Sequence, residues 1–280
     1  MYLWLPVFTL PLPTNLKIYV CPWIDRSRMQ KMKLDILAFG VHPDDVELSC
    51  AGTLMMEKKN GKKVGIIDLT EGELGTRGNA DTRKEEALNA AKIMNVDIRE
   101  NLSMADGFFK NDETNQLKVI ASIRKYQPEI VLCNAPEDRH PDHGRSANLI
   151  VDAAFLSGLK KINTFSIGRE IEANSVSQKE WRPKYVFNYI QDRYLQPNFV
   201  VDISEVFEKK IEAIKAFKTQ FFDPESNEPQ TYLSSPEFLD SVIYRSKMFG
   251  KMIGVKYAEG YISQKMIGIR SFEVLIKENT

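Results

Sequence analysis

Apolar positions along this chain alternate between two rhythms. Residues 34–41 (LDILAFGV) form the continuous apolar run of a buried parallel strand, and a helical spacing follows from 46 to about 59, closed by Asn60-Gly61. The next strand pattern spans 63–69 (KVGIIDL). A loop over 70–81 carries Gly72, Gly75 and Gly78, and a capping-box spacing at 82–85 (TRKE) then predicts a helix to about Asn95. The alternation continues with a short strand near 97–102 and a helix at about 113–126 ended by Pro128. A fourth buried strand at 129–134 (EIVLCN) and a helix from about 143 to 155 follow. Further strands are predicted at 185–190 and 199–203, and helices at 204–221 and 236–253, with a polar surface loop at 223–235 between those helices. This order predicts an α/β fold: a Rossmann-like, doubly wound, mostly parallel sheet with helices on both faces, and a single domain over 32–280.

Such a sheet, ordered 3-2-1-4-5, makes its first and fourth strands neighbours. The order reverses between them, so the loops at their carboxyl ends face each other across the crevice where these sheets bind ligands. Those two loops read His42-Pro43-Asp44-Asp45 and Asp138-Arg139-His140-Pro141-Asp142-His143, and together they hold all 3 histidines of the 280 residues. Imidazole beside carboxylate provides ligands for a divalent cation and groups that move protons in hydrolysis. The pattern predicts a metal-dependent hydrolase. A dinucleotide site is disfavoured, because the first loop lacks G-x-G-x-x-G and its two carboxylates would repel a pyrophosphate.

Residue by residue, His42 and Asp45 are spaced to hold one ion from a turn entering a helix, and a third ligand comes from His143 or His140. The bland alternative makes Asp44 or Asp45 a helix cap and His42 a turn residue. Asp44 is free to act as general base toward metal-bound water. Asp142 either fixes the tautomer of a neighbouring imidazole or places a negative charge at a helix start. Arg83, early in its helix, is a candidate anchor for an anionic substrate group, with a surface pair to Glu85 or Glu86 as the alternative. Arg77 is a weaker candidate for that role, and Arg139 a second substrate-binding candidate. Cys50 and Cys133 sit in apolar runs and are expected in the core.

Composition narrows the picture. Formal net charge is zero, which removes the basic footprint of a nucleic-acid binder. Three cysteines without C-x-x-C spacing argue against a disulfide framework and for a reducing, cytoplasmic location. Residues 1–31 open on an apolar stretch broken by Pro6, Pro11 and Pro13, too interrupted to span a bilayer and without the features of a secretory signal. They are expected to be an extension outside the fold, or else a short docking segment. No membrane partner is expected.

Several segments resemble the LmbE-like, or PIG-L, zinc-dependent de-N-acetylases: AFGVHPDDVELSCAGTL (38–54), DLTEGELGTRG (68–78), TRKEEA (82–87), PEDRHPDH (136–143), PNFVVDIS (197–204) and SKMFGKMIGVKYAEGY (246–261). The likeness runs over about 33–270 and is nearest to the bacillithiol-pathway branch acting on N-acetylglucosaminyl-malate. It implies Zn2+ (or Fe2+) held by His42, Asp45 and His143, Asp44 as base, a protonated His140 stabilising the tetrahedral intermediate, and Arg83 near the substrate. It also implies a small amino-sugar substrate and assembly as a homo-trimer or hexamer. One departure is Phe238, where relatives of that branch carry a tyrosine; Tyr232 is the nearest hydroxyl. Deacetylation of N-acetylglucosamine or chito-oligosaccharides, amide cleavage of a thiol conjugate, and a metal-binding module without turnover are the alternatives.

Overall fold

The computed structural model describes residues 32–164, 178–221 and 227–275. The expected extension over 1–31 and the start of the loop predicted at 223–235 lie outside them. In chain order the elements that matter are β1 (Ile36–Gly40), α1 (Asp45–Ser49), α2 (Ala51–Lys59), β2 (Val64–Thr70), α3 (Ala80–Met94), β3 (Ile98–Met104), α4 (Glu113–Tyr126), β4 (Ile130–Cys133), α5 (Pro141–Leu156), β5 (Tyr185–Tyr189), β6 (Phe199–Asp202), α6 (Phe207–Lys215), α7 (Pro236–Ile253) and β7 (Ala258–Ser263). They form one seven-stranded sheet ordered β3-β2-β1-β4-β5-β7-β6. The five strands β3 to β5 are parallel in the order anticipated, and β7 runs antiparallel between β5 and β6.

Side-chain alternation along β1 shows why the strand is apolar throughout. Leu37 and Phe39 pack with Val119, Ile120 and Ile123 of α4 and with Leu149 and Ile150 of α5. Ile36 and Ala38 face the other way, toward Leu54 and Met55 of α2 and Ala91 and Met94 of α3. Successive residues point to opposite faces, so helices on both sides demand a run without polar interruptions. Each large side chain so buried contributes roughly 1.5–3 kcal/mol.

The helix predicted over 46–59 is two helices, broken at Cys50 (φ −138°, ψ 12°). The break has a tertiary cause. Glu259 of β7 accepts hydrogen bonds from Gly52 N at 2.9 Å, Thr53 N at 2.7 Å and Thr53 Oγ1 at 2.7 Å, and Lys210 Nζ pairs with it at 2.7 Å. A carboxylate distant in sequence thus satisfies the first free N–H groups of α2. β7 itself was not anticipated, since AEGYIS puts a glutamate and a glycine where a buried strand should be apolar.

The helix carrying Arg83 also starts earlier than its sequence suggests. Asn79 is the N-cap, accepting from Asp81 N and Thr82 N at 3.0 Å each, and Thr82 Oγ1 accepts from Asn79 N at 2.8 Å. Thr82 is therefore the inner member of the capping box, and Arg83 lies one turn inside the helix. The helix expected over 204–221 is confined to α6, whereas α7 coincides with its predicted span. No helix among the described residues is long and apolar enough to cross a membrane.

Candidate metal centre and active site

The two histidine-bearing loops meet at the carboxyl ends of β1 and β4. A nitrogen from each of His42, His140 and His143 can be chosen so that all three lie within 4.8 Å of one another. Asp45 joins them: its Oδ2 is 3.7 Å from His42 Nδ1, and its Oδ1 is 3.2 Å from His143 Nε2.

Asp45 is held from several strand ends at once. Its Oδ2 accepts from Val41 N at 2.9 Å, His42 N at 3.0 Å and Asn134 Nδ2 at 2.9 Å, while Oδ1 accepts from Gln191 Nε2 at 3.1 Å. Asn134 follows β4 and Gln191 follows β5, so the sheet itself aims this carboxylate. Burial works against its charge, but His143 and His42 hold its pKa below the usual carboxylate range.

Each of two imidazoles is fixed from behind by a carboxylate. His42 Nε2 is 3.0 Å from Asp106 Oδ1, and His143 Nδ1 is 2.5 Å from Asp138 Oδ2. Carboxylates accept, so those nitrogens carry the hydrogens, and His42 Nδ1 and His143 Nε2 keep their lone pairs. Both lone-pair nitrogens lie on the Asp45 side. Two imidazoles with carboxylate partners and a converging third carboxylate fit a zinc-type cation. Burial disfavours a charged His143, yet Asp45 and Asp138 push its pKa up to about 10 where no ion lies between Nε2 and Asp45, so a proton on Nε2 must leave as a cation takes its place.

His140 is different. Its Nδ1 accepts from Asp142 N at 3.3 Å, which leaves Nε2 as the N–H. Burial, then the neighbouring His42 and His143, hold its pKa below the ordinary histidine value. Nε2 thus presents an N–H donor, and burial with the two neighbouring imidazoles disfavours the charged ring that the resemblance implies.

Asp44 occupies the N-cap position of α1 but makes no side-chain cap. Its backbone is left-handed at φ 138°, a strained conformation of the kind retained at working sites. The side chain meets Arg83 instead: Nη2 lies 3.0 Å from Asp44 Oδ2 and 2.6 Å from the Pro43 carbonyl, and Nη1 donates to Gln220 Oε1 at 3.0 Å. Burial pushes the Asp44 carboxyl up to about 7, against the pull of that guanidinium. Gly72 makes room for it. At φ 67° it suits a residue without a side chain, and a Cβ there would lie 2.9 Å from Arg83 Cζ.

The remaining candidates lie around this centre. Arg83 makes no ion pair with Glu85 or Glu86: Nη2 lies between Asp44 and the Pro43 carbonyl, Nη1 reaches Gln220, and the buried Nε has no hydrogen-bond partner. Asp142 stands in the first turn of α5, where the helix-start alternative puts it: its Oδ2 accepts from Gly107 N at 2.9 Å, its Oδ1 pairs with Arg145, and it lies 3.8 Å from His42 Nε2. Arg139 sits on the rim, 3.1 Å from Asp192 and stacked 4.4 Å from the Tyr232 ring, whose hydroxyl also donates to Asp192 at 2.9 Å. Phe238 is buried against Phe221 and Tyr232. Cys50 and Cys133 are buried core thiols.

Asp106, Asn134 and Gln191 were missed in the sequence. Each lies just beyond a strand's carboxyl end, the one signal that could have marked them. Asp106 and Gln191 border, with the loops, a cavity of about 370 Å³, and Asn134 lies buried behind Asp45.

Residues 37–155 match the family described as PIG-L, GlcNAc-PI de-N-acetylase. The crystal structure of the conserved protein TT1542 from Thermus thermophilus is 31% identical, covering 85% of this chain and 98% of that one, with a TM-score of 0.71. The chain belongs to the PIG-L (LmbE-like) family. Diacetylchitobiose deacetylase of Thermococcus kodakarensis is 28% identical over 235 residues, 80% of this chain and 81% of the relative. A probable N-acetyl-alpha-D-glucosaminyl L-malate deacetylase 2 of Bacillus subtilis is 25% identical over 206 residues, 68% and 84% of the two chains. The PIG-L match spans both histidine-bearing loops and ends within α5.

Proposed function

We propose that this PIG-L protein is a metal-dependent de-N-acetylase that removes the acetyl group from an N-acetylglucosamine conjugate, releasing acetate and a free amine. The observation that carries this reading is the pair of oriented lone-pair nitrogens, His42 Nδ1 and His143 Nε2, beside Asp45. Names of the PIG-L relatives supply the substrate class: diacetylchitobiose in one, N-acetylglucosaminyl malate in another.

His42, Asp45 and His143 would hold the ion, with zinc the favoured metal for two nitrogens and an oxygen. Such an ion, when bound, polarises an acyl carbonyl and acidifies water. Asp44 takes a proton from the water as its oxygen joins the acyl carbon, and Arg83 keeps that carboxylate in place. A neighbouring cation lowers the Asp44 proton affinity, which suits a base working near neutral pH. His140 donates its Nε2 hydrogen to the developing oxyanion, an effect of roughly 3–4 kcal/mol for one donor in comparable sites. As the C–N bond breaks, Asp44 returns its proton to the leaving nitrogen. The reading also includes a homo-oligomer, supported by the exposed apolar row Tyr244, Met248 and Met252 along α7.

The test is acetate release by metal-loaded protein from N-acetylglucosaminyl-malate, diacetylchitobiose and N-acetylglucosamine. Release from at least one, abolished by chelation and restored by zinc, is expected. Metal binding without hydrolysis of any of them would overturn the proposal.

A further inference from the structure

Four arginines border the cavity. Three have carboxylate partners: Arg77 with Glu228 at 3.2 Å, Arg83 with Asp44 at 3.0 Å and Arg139 with Asp192 at 3.1 Å. The fourth, Arg245 of α7, donates from Nη2 to the Leu48 carbonyl at 3.0 Å, and no carboxylate among the described residues forms an ion pair with it. A guanidinium has five N–H donors, and one carbonyl leaves most of them open, while Asp192, Asp138 and Glu259 act on its charge only from beyond ion-pair distance. Burial holds its pKa below the usual arginine value, against the pull of those carboxylates.

A second, independent feature adjoins it. Ser49, next to Leu48 at the end of α1, also borders the cavity, and its buried Oγ has no hydrogen-bond partner. A buried hydroxyl without a partner is uncommon in folded proteins and calls for a ligand or an ordered water. Leu48 joins the two features: its carbonyl positions the guanidinium, and its chain neighbour offers the hydroxyl.

The geometry points to a subsite, formed by Arg245 with Ser49, for a carboxylate carried on the substrate beyond the acetamido group. The inference rests on the deacetylase reading and narrows its substrate to an acidic conjugate over a neutral sugar. It assigns to Arg245 the anchoring role that the sequence suggested for Arg83, whose Nη atoms are engaged with Asp44, the Pro43 carbonyl and Gln220. A guanidinium fork matches a carboxylate in two parallel hydrogen bonds, and a serine hydroxyl can add a third.

The experiment compares N-acetylglucosaminyl-malate with its dimethyl ester, which keeps the shape and removes the charge. Metal-loaded wild-type protein is expected to favour the acid in kcat/KM by roughly 10- to 100-fold, the range of charge-assisted hydrogen bonds. Arg245→Gln should erase most of that ratio, Arg245→Lys should keep part of it, and Ser49→Ala should reduce it about threefold, as one lost neutral hydrogen bond does. The inference is overturned if wild type treats acid and ester alike, or if the variants slow both by the same factor. If Arg245→Gln does not fold, Arg245→Lys and Ser49→Ala decide by the same ratio. If wild type hydrolyses neither compound but releases acetate from diacetylchitobiose or N-acetylglucosamine, the deacetylase reading stands and the acidic-substrate inference is overturned; if it hydrolyses none of them, the deacetylase reading has failed. Calorimetric binding of acid and ester then judges the subsite alone: a loss confined to the acid in Arg245→Gln supports it, and equal or absent binding overturns it.

Discussion

Arg83 Nη2 bridges two oxygens of the same turn, lying 3.0 Å from Asp44 Oδ2 and 2.6 Å from the Pro43 carbonyl. The arginine therefore acts on the proposed base. Arg83→Met is expected to cut kcat by roughly 10- to 100-fold while bound metal is retained, as loss of a charged hydrogen bond to a reacting group does. The pH–rate profile gives a second readout. The guanidinium lowers the Asp44 pKa, so its removal raises that pKa and moves the acidic limb to higher pH. An unmoved limb with normal turnover would remove Arg83 from the site.

Asp44→Asn preserves shape and removes the basic oxygen. Acetate release should fall by about 10²- to 10⁴-fold, the usual scale of general-base assistance, with one metal still bound per chain. Near wild-type turnover with metal in place would sink the assignment of Asp44.

Asp106 and Asp138 hold the far nitrogens of His42 and His143. Asp106→Asn and Asp138→Asn should each weaken metal affinity by roughly 10- to 100-fold, because an amide no longer fixes the tautomer or raises ligand basicity. Competition with a graded series of chelators measures this. Equal retention of zinc by both variants and wild type would show that neither carboxylate supports the centre.

Beneath the site, Arg99 joins Asp68 through Nε at 2.8 Å and Nη2 at 2.9 Å, and Nη1 reaches Glu47, all buried. Arg99→Met should lower unfolding stability by about 3–5 kcal/mol, since it strands two carboxylates in the core. Urea unfolding of the metal-loaded protein measures the loss, and a change below about 1 kcal/mol would mean that water reaches the network.

Sequence alone determined the doubly wound sheet and the place of the centre. Strands packed on both faces must be apolar without interruption, and a 3-2-1-4-5 order puts 42–45 beside 138–143. These are consequences of local pattern, legible because burial on two faces leaves a signature at every position. Tertiary structure decided what sequence spacing cannot express. Asp142 and Asp106 are both carboxylates near histidine-bearing segments, yet Asp106, from the loop after β3, holds His42. Arg83 fits an anchor by pattern, but a glycine at position 72 lets it fold onto Asp44. The glutamate in AEGYIS argued against a strand until Lys210 and the first amides of α2 were seen to satisfy it. Hydrogen bonds between residues distant in the chain leave no periodicity, so the partner of a polar side chain is known only once the fold has brought the two together.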